Sequence, residues 1–206
     1  MVIVEPGARN PHERSMLRTM FEARKEVFVD LLKWDVPVLD GRFEIDRFDD
    51  PGAIYIIVAD SDGGHLGSAR LLRTVTPHIL DTLFPQLCRG APPAGPDVLE
   101  ITRFCLGRNQ NATARRHTRN RLVSALVRFA LERDIRTYTG VAEMSWLQQI
   151  LAFGWDCRPL GAPRLLDCGM LGALAIAIGP DTPALLAANG IWEDEELARI
   201  PLPQAA

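Results

Sequence analysis

The stretch that decides the fold is Asp97-Val98-Leu99-Glu100-Ile101-Thr102-Arg103-Phe104-Cys105-Leu106. Its apolar residues alternate as in a β-strand, yet a carboxylate and a guanidinium stand among Val, Leu, Ile, Phe and Cys. In a regular strand Glu100 shares a face with Val98, Thr102, Phe104 and Leu106, and Arg103 shares the other with Leu99, Ile101 and Cys105. A buried charge is costly unless it is paired or used. The strand therefore implies either an ion pair that ties a sheet to its neighbours or a charged site. The two charges point opposite ways unless a bulge re-aims one, and bulges recur beside active sites.

Upstream, Ala53 to Ala59 is a nearly continuous apolar run and reads as a central strand. Asp60 to Gly64 is a hairpin turn signal, and Leu66 to Arg73 returns as an antiparallel strand with Arg70 on the face of Leu66, Ser68 and Leu72. Residues 12 to about 32 carry Leu17, Met20, Phe21, Phe28 and Leu31 at helical spacing, with Arg24 inside that stripe. Arg24 needs a partner unless its stem snorkels to water. Trp34 to Asp50 has no clear period and reads as a long surface loop. Within it, Asp46 and Asp49 are the candidate partners of Arg24 or Arg103, whereas Asp40 and Asp50 read as solvated. Pro77 to Leu87 predicts a short helix with Phe84, and Gly90 to Pro96 a loop.

Downstream, Arg108, Arg115, Arg116, His117, Arg119 and Arg121 lead into a helix with Leu122, Val123, Leu126, Phe129 and Ala130 on its apolar side. Cations at a helix N-terminus oppose the helix dipole, so either the face is simply solvated or it meets an anionic partner. Strands follow at Ile135 to Val141, Trp155 to Leu160, Arg164 to Cys168 and Leu171 to Ile178, with helices at Glu143 to Phe153 and Asp181 to Ala188. Residues 191–206 read as a peripheral tail of one domain spanning 1–206.

Composition narrows the classes. With 206 residues, 47% hydrophobic and 24% charged, the chain suits one folded, soluble domain. A formal charge of -3 gives no reason to expect nucleic acid. No apolar run reaches a membrane span, and the N-terminus lacks the pattern of a signal peptide, so a cytoplasmic protein is expected. Four scattered Cys and four scattered His form no metal-ligand cluster.

Three arginines on apolar faces, a strand glutamate and two loop aspartates exceed what a core needs. Arg24, Phe28 and Trp34, then Glu44-Ile45-Asp46 with Asp49, then Arg70-Leu71-Leu72, Phe84 before a proline, and Glu100-x-x-Arg103-Phe104 follow one another in this chain. Their order and spacing over residues 15 to about 155 resemble those of acyl-homoserine-lactone (autoinducer) synthases of the LuxI type. Thr102 stands where serine is common in that family, which preserves a hydroxyl.

That resemblance implies an α/β fold like that of GNAT N-acetyltransferases, a three-layer arrangement with a mixed twisted sheet flanked by helices. It implies an acyltransferase that joins an acyl thioester to the amine of S-adenosylmethionine, closes a lactone and releases methylthioadenosine. S-adenosylmethionine is then a consumed substrate, and no cofactor or metal is expected. Glu100 would take the amine's proton, its apolar neighbours raising its pKa for that task, with Arg103 the second catalytic residue. Arg24, Phe28, Trp34 and Phe104 would bind S-adenosylmethionine, the aromatic faces meeting adenine and sulfonium. Asp46, Asp49 and Arg70 would form a supporting charge network, while Phe84 and Thr102 would be structural or pocket residues. The donor, acyl carrier protein or coenzyme A, stays open, as does the acyl chain. A GNAT-like acyltransferase acting on another amine and a non-catalytic binding module are the competing readings. The former lacks support from a Gly-rich pyrophosphate loop.

Overall fold

The structure is a computed structural model and describes residues 1–6, 15–167 and 169–199. Residues 12–14 of the expected first helix, Cys168 and the end of the expected tail, 200–206, lie outside the described residues. The chain forms two compact units, one built from residues 1–70, 103–125 and the segment from 195, the other from 71–102 and 126–194.

In the first unit, strand β1 (Val2–Pro6) pairs antiparallel with β4 (Ile54–Ala59) and parallel with β11 (Leu197–Arg199). The stretch expected to be a peripheral tail therefore supplies an edge strand. A hairpin leads from β4 into β5 (His65–Arg73), where the Asp60 carboxylate accepts from the N–H groups of Asp62 and Gly64. Helix α1 (Ser15–Arg24) buries Leu17, Met20, Phe21 and Arg24 at one-turn spacing. Phe21 meets Tyr55 of β4 edge-on, with centroids 5.8 Å apart. On β5, Gly67 faces the opposite way from Arg70, and a Cβ there would press on Thr118 of α3 (Ala112–Glu132). Helices thus cover both faces of a mixed sheet.

The helix expected to run to about residue 32 changes character after Arg24. Over Lys25–Leu31 its turns widen, and Leu32 N–H donates to Val27 O five residues back at 2.9 Å. Such wide turns are rare and concentrate at functional sites. The expected surface loop after Trp34 is also more ordered than its composition suggests. Two short strands, β2 (Val38–Leu39) and β3 (Phe43–Glu44), pair antiparallel, and both Phe43 and Glu44 are buried. Glu44 can leave solvent because arginines supply its hydrogen bonds.

In the second unit, the start of β6 (Val98–Leu106) runs parallel to β7 (Thr137–Glu143), which pairs antiparallel with β10 (Gly169–Ala177). Strands β8 (Asp156–Pro159) and β9 (Arg164–Leu166) both pair with β10. One face is covered by α3, where Tyr138 Oη donates to Leu126 O at 2.8 Å, and by α4 (Met144–Leu151). The other face packs Leu171 and Ala173 against Leu80 and Leu87. Leu80 belongs to α2 (Ile79–Thr82), and Leu87 ends a tight 3-10 turn at Pro85–Leu87. The single helix expected from Pro77 is therefore two short pieces with Phe84 between them. Helix α5 (Thr182–Ala188) follows the sheet.

Candidate functional site

Of the three arginines anticipated on apolar faces, Arg24 and Arg70 are buried and Arg103 is partly buried, and all three sit on carboxylates in the first unit. Arg24 Nη1 and Nη2 donate to Asp49 Oδ1 and Oδ2 at 2.8 and 2.9 Å, and its Nε donates to Glu44 Oε2. Arg70 grips Asp46 the same two-pronged way at 2.7 and 3.0 Å and also lies 2.8 Å from Asp49. Arg103 Nη2 donates to Glu44 Oε1 at 2.9 Å and to Asp46 Oδ2 at 2.8 Å. Each arginine bridges two acids and each acid bridges two arginines, so the charges balance. Arg24 and Arg70 are 1% and 0% exposed, which excludes the snorkelling alternative for Arg24. A planar guanidinium with a fixed fork of donors suits such paired contacts better than an ammonium would.

Electrostatics follow from burial and partners together. Burial alone would raise the Asp49 carboxyl, but Arg24 and Arg70 override it and hold the group far below the usual carboxylate range. Asp46 is likewise held down, burial being outweighed by Arg70. Desolvation opposes the charge on Arg24, yet Asp49 and Glu44 raise its pKa well above the ordinary value. Desolvation and Asp49 push the Tyr55 hydroxyl up, so it stays a donor, at 2.7 Å from Asp49 Oδ1.

Arg103 joins this network through an unusual backbone. Its φ of 50° is left-handed, a conformation costing about 1–2 kcal/mol for a residue with a side chain. Among the described residues no other non-glycine residue inside a strand has it. This is the kind of irregularity that the paired charges of the strand called for. The Arg103 guanidinium also lies over the rings of Phe28 and Trp34, 5.5 and 5.8 Å from their centroids. Those rings stack on each other at 4.8 Å, so one face of each is already covered. Trp34 is fixed by its backbone N–H, which donates to Phe28 O at 2.8 Å beyond the wide turns.

The structure gathers Arg24, Phe28, Trp34, Asp46, Asp49, Arg70 and Arg103 into one constellation. Glu44 and Tyr55 belong to it and went unassigned in the sequence reading. Glu44 is among the residues that carry the family resemblance, but its place in a stretch that reads as a surface loop gives it no role there. Tyr55 was masked by the apolar run around it. Phe104 lies in the same unit, half-buried. In the second unit, Glu100 is fully buried and accepts from the N–H groups of Ile79 and Leu80, at 2.8 and 3.0 Å, at the start of α2. The expectation of purely apolar neighbours for Glu100 is thereby corrected: backbone donors face it. Thr102 is buried in that unit, and Phe84 packs against the Leu80 and Leu87 cluster.

The basic run divides into several roles. Arg115 Nη1 donates to Leu106 O and Gly107 O, and Arg121 makes a two-pronged contact to Glu195 at 2.7 and 2.8 Å. Arg108 and Arg116 are exposed and have no acidic partner among the described residues. Among the described residues no group of His, Cys, Asp or Glu could hold a metal, and no helix is long and apolar enough to cross a membrane.

Comparison with known proteins identifies the family. The family described as autoinducer synthase matches residues 9–171. The chain belongs to that family. This autoinducer synthase is accordingly an acyltransferase. It is 34% identical over 172 residues to an acyl-homoserine-lactone synthase of Ralstonia nicotianae, covering 81% of this chain and 84% of that protein. It is also similar to TofI, solved in a ternary complex with an inhibitor and MTA, at 29% identity and a TM-score of 0.76, covering 91% and 96% of the two chains. An acyl-CoA N-acyltransferase from Pseudomonas aeruginosa shares the fold alone, at 15% identity and a TM-score of 0.55, covering 85% of this chain and 98% of that one. The synthase thus has a GNAT-like fold.

Proposed function

We propose that this chain transfers an acyl group from an acyl thioester to the amine of S-adenosylmethionine and then closes an N-acyl-homoserine lactone, releasing methylthioadenosine. The observation that carries the reading is the balanced lattice of three arginines and three carboxylates, with Arg103 held against Phe28 and Trp34. A balanced lattice adds no net positive charge to repel a sulfonium cation, while the aromatic rings attract one. Because every member is held by two partners, the lattice also preorganises that aromatic surface.

In this reading Arg24, Asp46, Asp49, Arg70 and Glu44 position the aromatic pair, and Arg103 orients it while facing bound substrate. Phe28, Trp34 and Phe104 take the adenine and sulfonium. Glu100 is the base: its carboxylate, held in place by the N–H groups of Ile79 and Leu80, takes the amine proton directly or through water. The deprotonated amine attacks the thioester carbonyl and the thiol departs. Holding the substrate carboxylate near the carbon that bears sulfur then favours ring closure by proximity, with methylthioadenosine leaving. Thr102 and Phe84 line the acyl side. S-adenosylmethionine is consumed, and no other cofactor is required. The donor is a coenzyme A or acyl-carrier-protein thioester, whose anionic groups would suit Arg108 and Arg116. The reaction would run in the cytoplasm, where both substrates are made.

The test is incubation of purified protein with S-adenosylmethionine and a panel of acyl thioesters on both carriers, read by mass spectrometry. The expected products are methylthioadenosine and one acyl-homoserine lactone in equal amounts. If S-adenosylmethionine binds but is never consumed on any donor, the amine acceptor is a different one and this reading fails.

A further inference from the structure

We propose that the cleft between the Pro85–Leu87 turn and the β8–β9 connection binds a phosphate-class oxyanion between Arg89 and Arg164. The cleft has a volume of about 210 Å³, and Gln86, Leu87, Cys88, Arg89, Gly161 and Arg164 line it. None of its lining residues is acidic. Neither Arg89 nor Arg164 has a hydrogen-bonded or ion-paired acid among the described residues. By contrast, Arg24, Arg42, Arg70, Arg103, Arg121 and Arg128 each sit on a carboxylate. At this cleft two guanidinium groups flank a lining that holds no acid, in a chain with more acids than bases.

The backbone brings the two walls together. A Cβ at residue 161 would collide with the Leu87 carbonyl and lie 3.1 Å from Arg89 N. The glycine is required for this approach and not for its φ, which is not left-handed. Arg89 N–H donates to Leu160 O at 2.9 Å, which fixes the two segments beside each other. Leu87 and Cys88 belong to the apolar cluster around Leu80, so that wall is anchored. Burial pushes the Cys88 thiol up, so it brings no competing anion at neutral pH. The volume equals the share of about seven water molecules, enough for a phosphate and part of what carries it. Guanidinium forks match phosphate oxygens two at a time.

The cleft's chemistry is independent of the proposed reaction; only the source of the anion, free phosphate or the phosphate of a coenzyme A donor, rests on that reading. Titration of the full chain with inorganic phosphate, followed through the Gly161 amide by NMR, tests the site. A saturable shift is expected, with affinity at least about tenfold weaker in the Arg89→Ala/Arg164→Ala double variant. Both side chains are exposed, so the melting temperature in phosphate-free buffer should not change. A parallel Arg89→Gln/Arg164→Gln variant guards against misfolding. No saturable shift, or equal affinity in the double variants, overturns the proposal. If coenzyme A shifts Gly161 and 3′-dephospho-coenzyme A does not, the anion is carried by the donor. A shift with phosphate and none with coenzyme A assigns the cleft to a free anion.

Discussion

Glu100 carries two duties that a single substitution can separate. As the proposed base it takes a proton from the attacking amine, and as a buried acceptor it anchors two N–H groups of α2. Glu100→Gln keeps the shape but turns one of its oxygens into a donor facing a backbone N–H. The loss of that bond should cost about 1–3 kcal/mol in urea unfolding. Loss of the base should separately lower kcat by about 10²-fold or more, measured per folded molecule. A lowered urea midpoint with unchanged kcat would leave Glu100 as an anchor of α2 and remove it from the chemistry. At the same scale, Glu44 explains how a charged residue of an expected surface loop can be wholly buried: Arg24 and Arg103 supply its hydrogen bonds from elements 20 and 59 residues away.

At the scale of elements, the chain makes irregular backbone where it positions charge. The wide turns at Lys25–Leu31 place Phe28, and the left-handed Arg103 interrupts β6 where its guanidinium must reach Glu44 and Asp46. Near its end, the long connection before β6 is tied to the Thr74 hydroxyl. Thr74 Oγ1 donates toward Val98 O at 2.8 Å and lies within hydrogen-bond reach of Gly95 O and N. Thr74→Val removes these bonds with little change of volume and takes a hydroxyl donor from the carbonyl of buried Val98. We expect a loss of about 1–3 kcal/mol in urea unfolding, with faster hydrogen exchange at Gly95. Unchanged exchange there would show that the connection is held elsewhere.

At the scale of the whole molecule, the buried charges make stability depend on pH in two ranges. Asp46 and Asp49 have folded pKa values below the ordinary 3.8. Above 3.8 both states are ionised and their stabilisation is complete. As pH falls through 3.8 toward the folded values, the unfolded chain takes up protons first and the stabilisation is lost. His65 adds a second range. Desolvation and Arg24 lower it from 6.5 to about 4, and its Nε2 lies 2.9 Å from Ser68 Oγ. Between pH 6.5 and about 4 the unfolded imidazole is protonated and the folded one is not, so stability declines with falling pH there as well. Urea midpoints measured from pH 7 to pH 3 should fall in two steps, and His65→Asn should remove the upper one. An upper step that survives in the variant would assign it to another group.

Much of this protein was legible from residue order because secondary structure follows local periodicity. The strand around Glu100, the apolar run at Ala53 to Ala59 and the helix after Gly107 are patterns of nearest neighbours. The presence of a charged site was legible too, since Arg24, Arg70 and Arg103 each broke such a pattern. Their partners were not, because pairing joins residues 20 to 59 positions apart that only folding brings within 3 Å. Tertiary structure alone decided that Glu44 is a full member, that Arg103 turns left-handed and that Leu197–Arg199 joins a sheet. Periodicity reports which face a side chain would take in a regular element. Where a buried charge must find its partner, the cost of leaving it unpaired exceeds the cost of bending the backbone, and the regular pattern gives way.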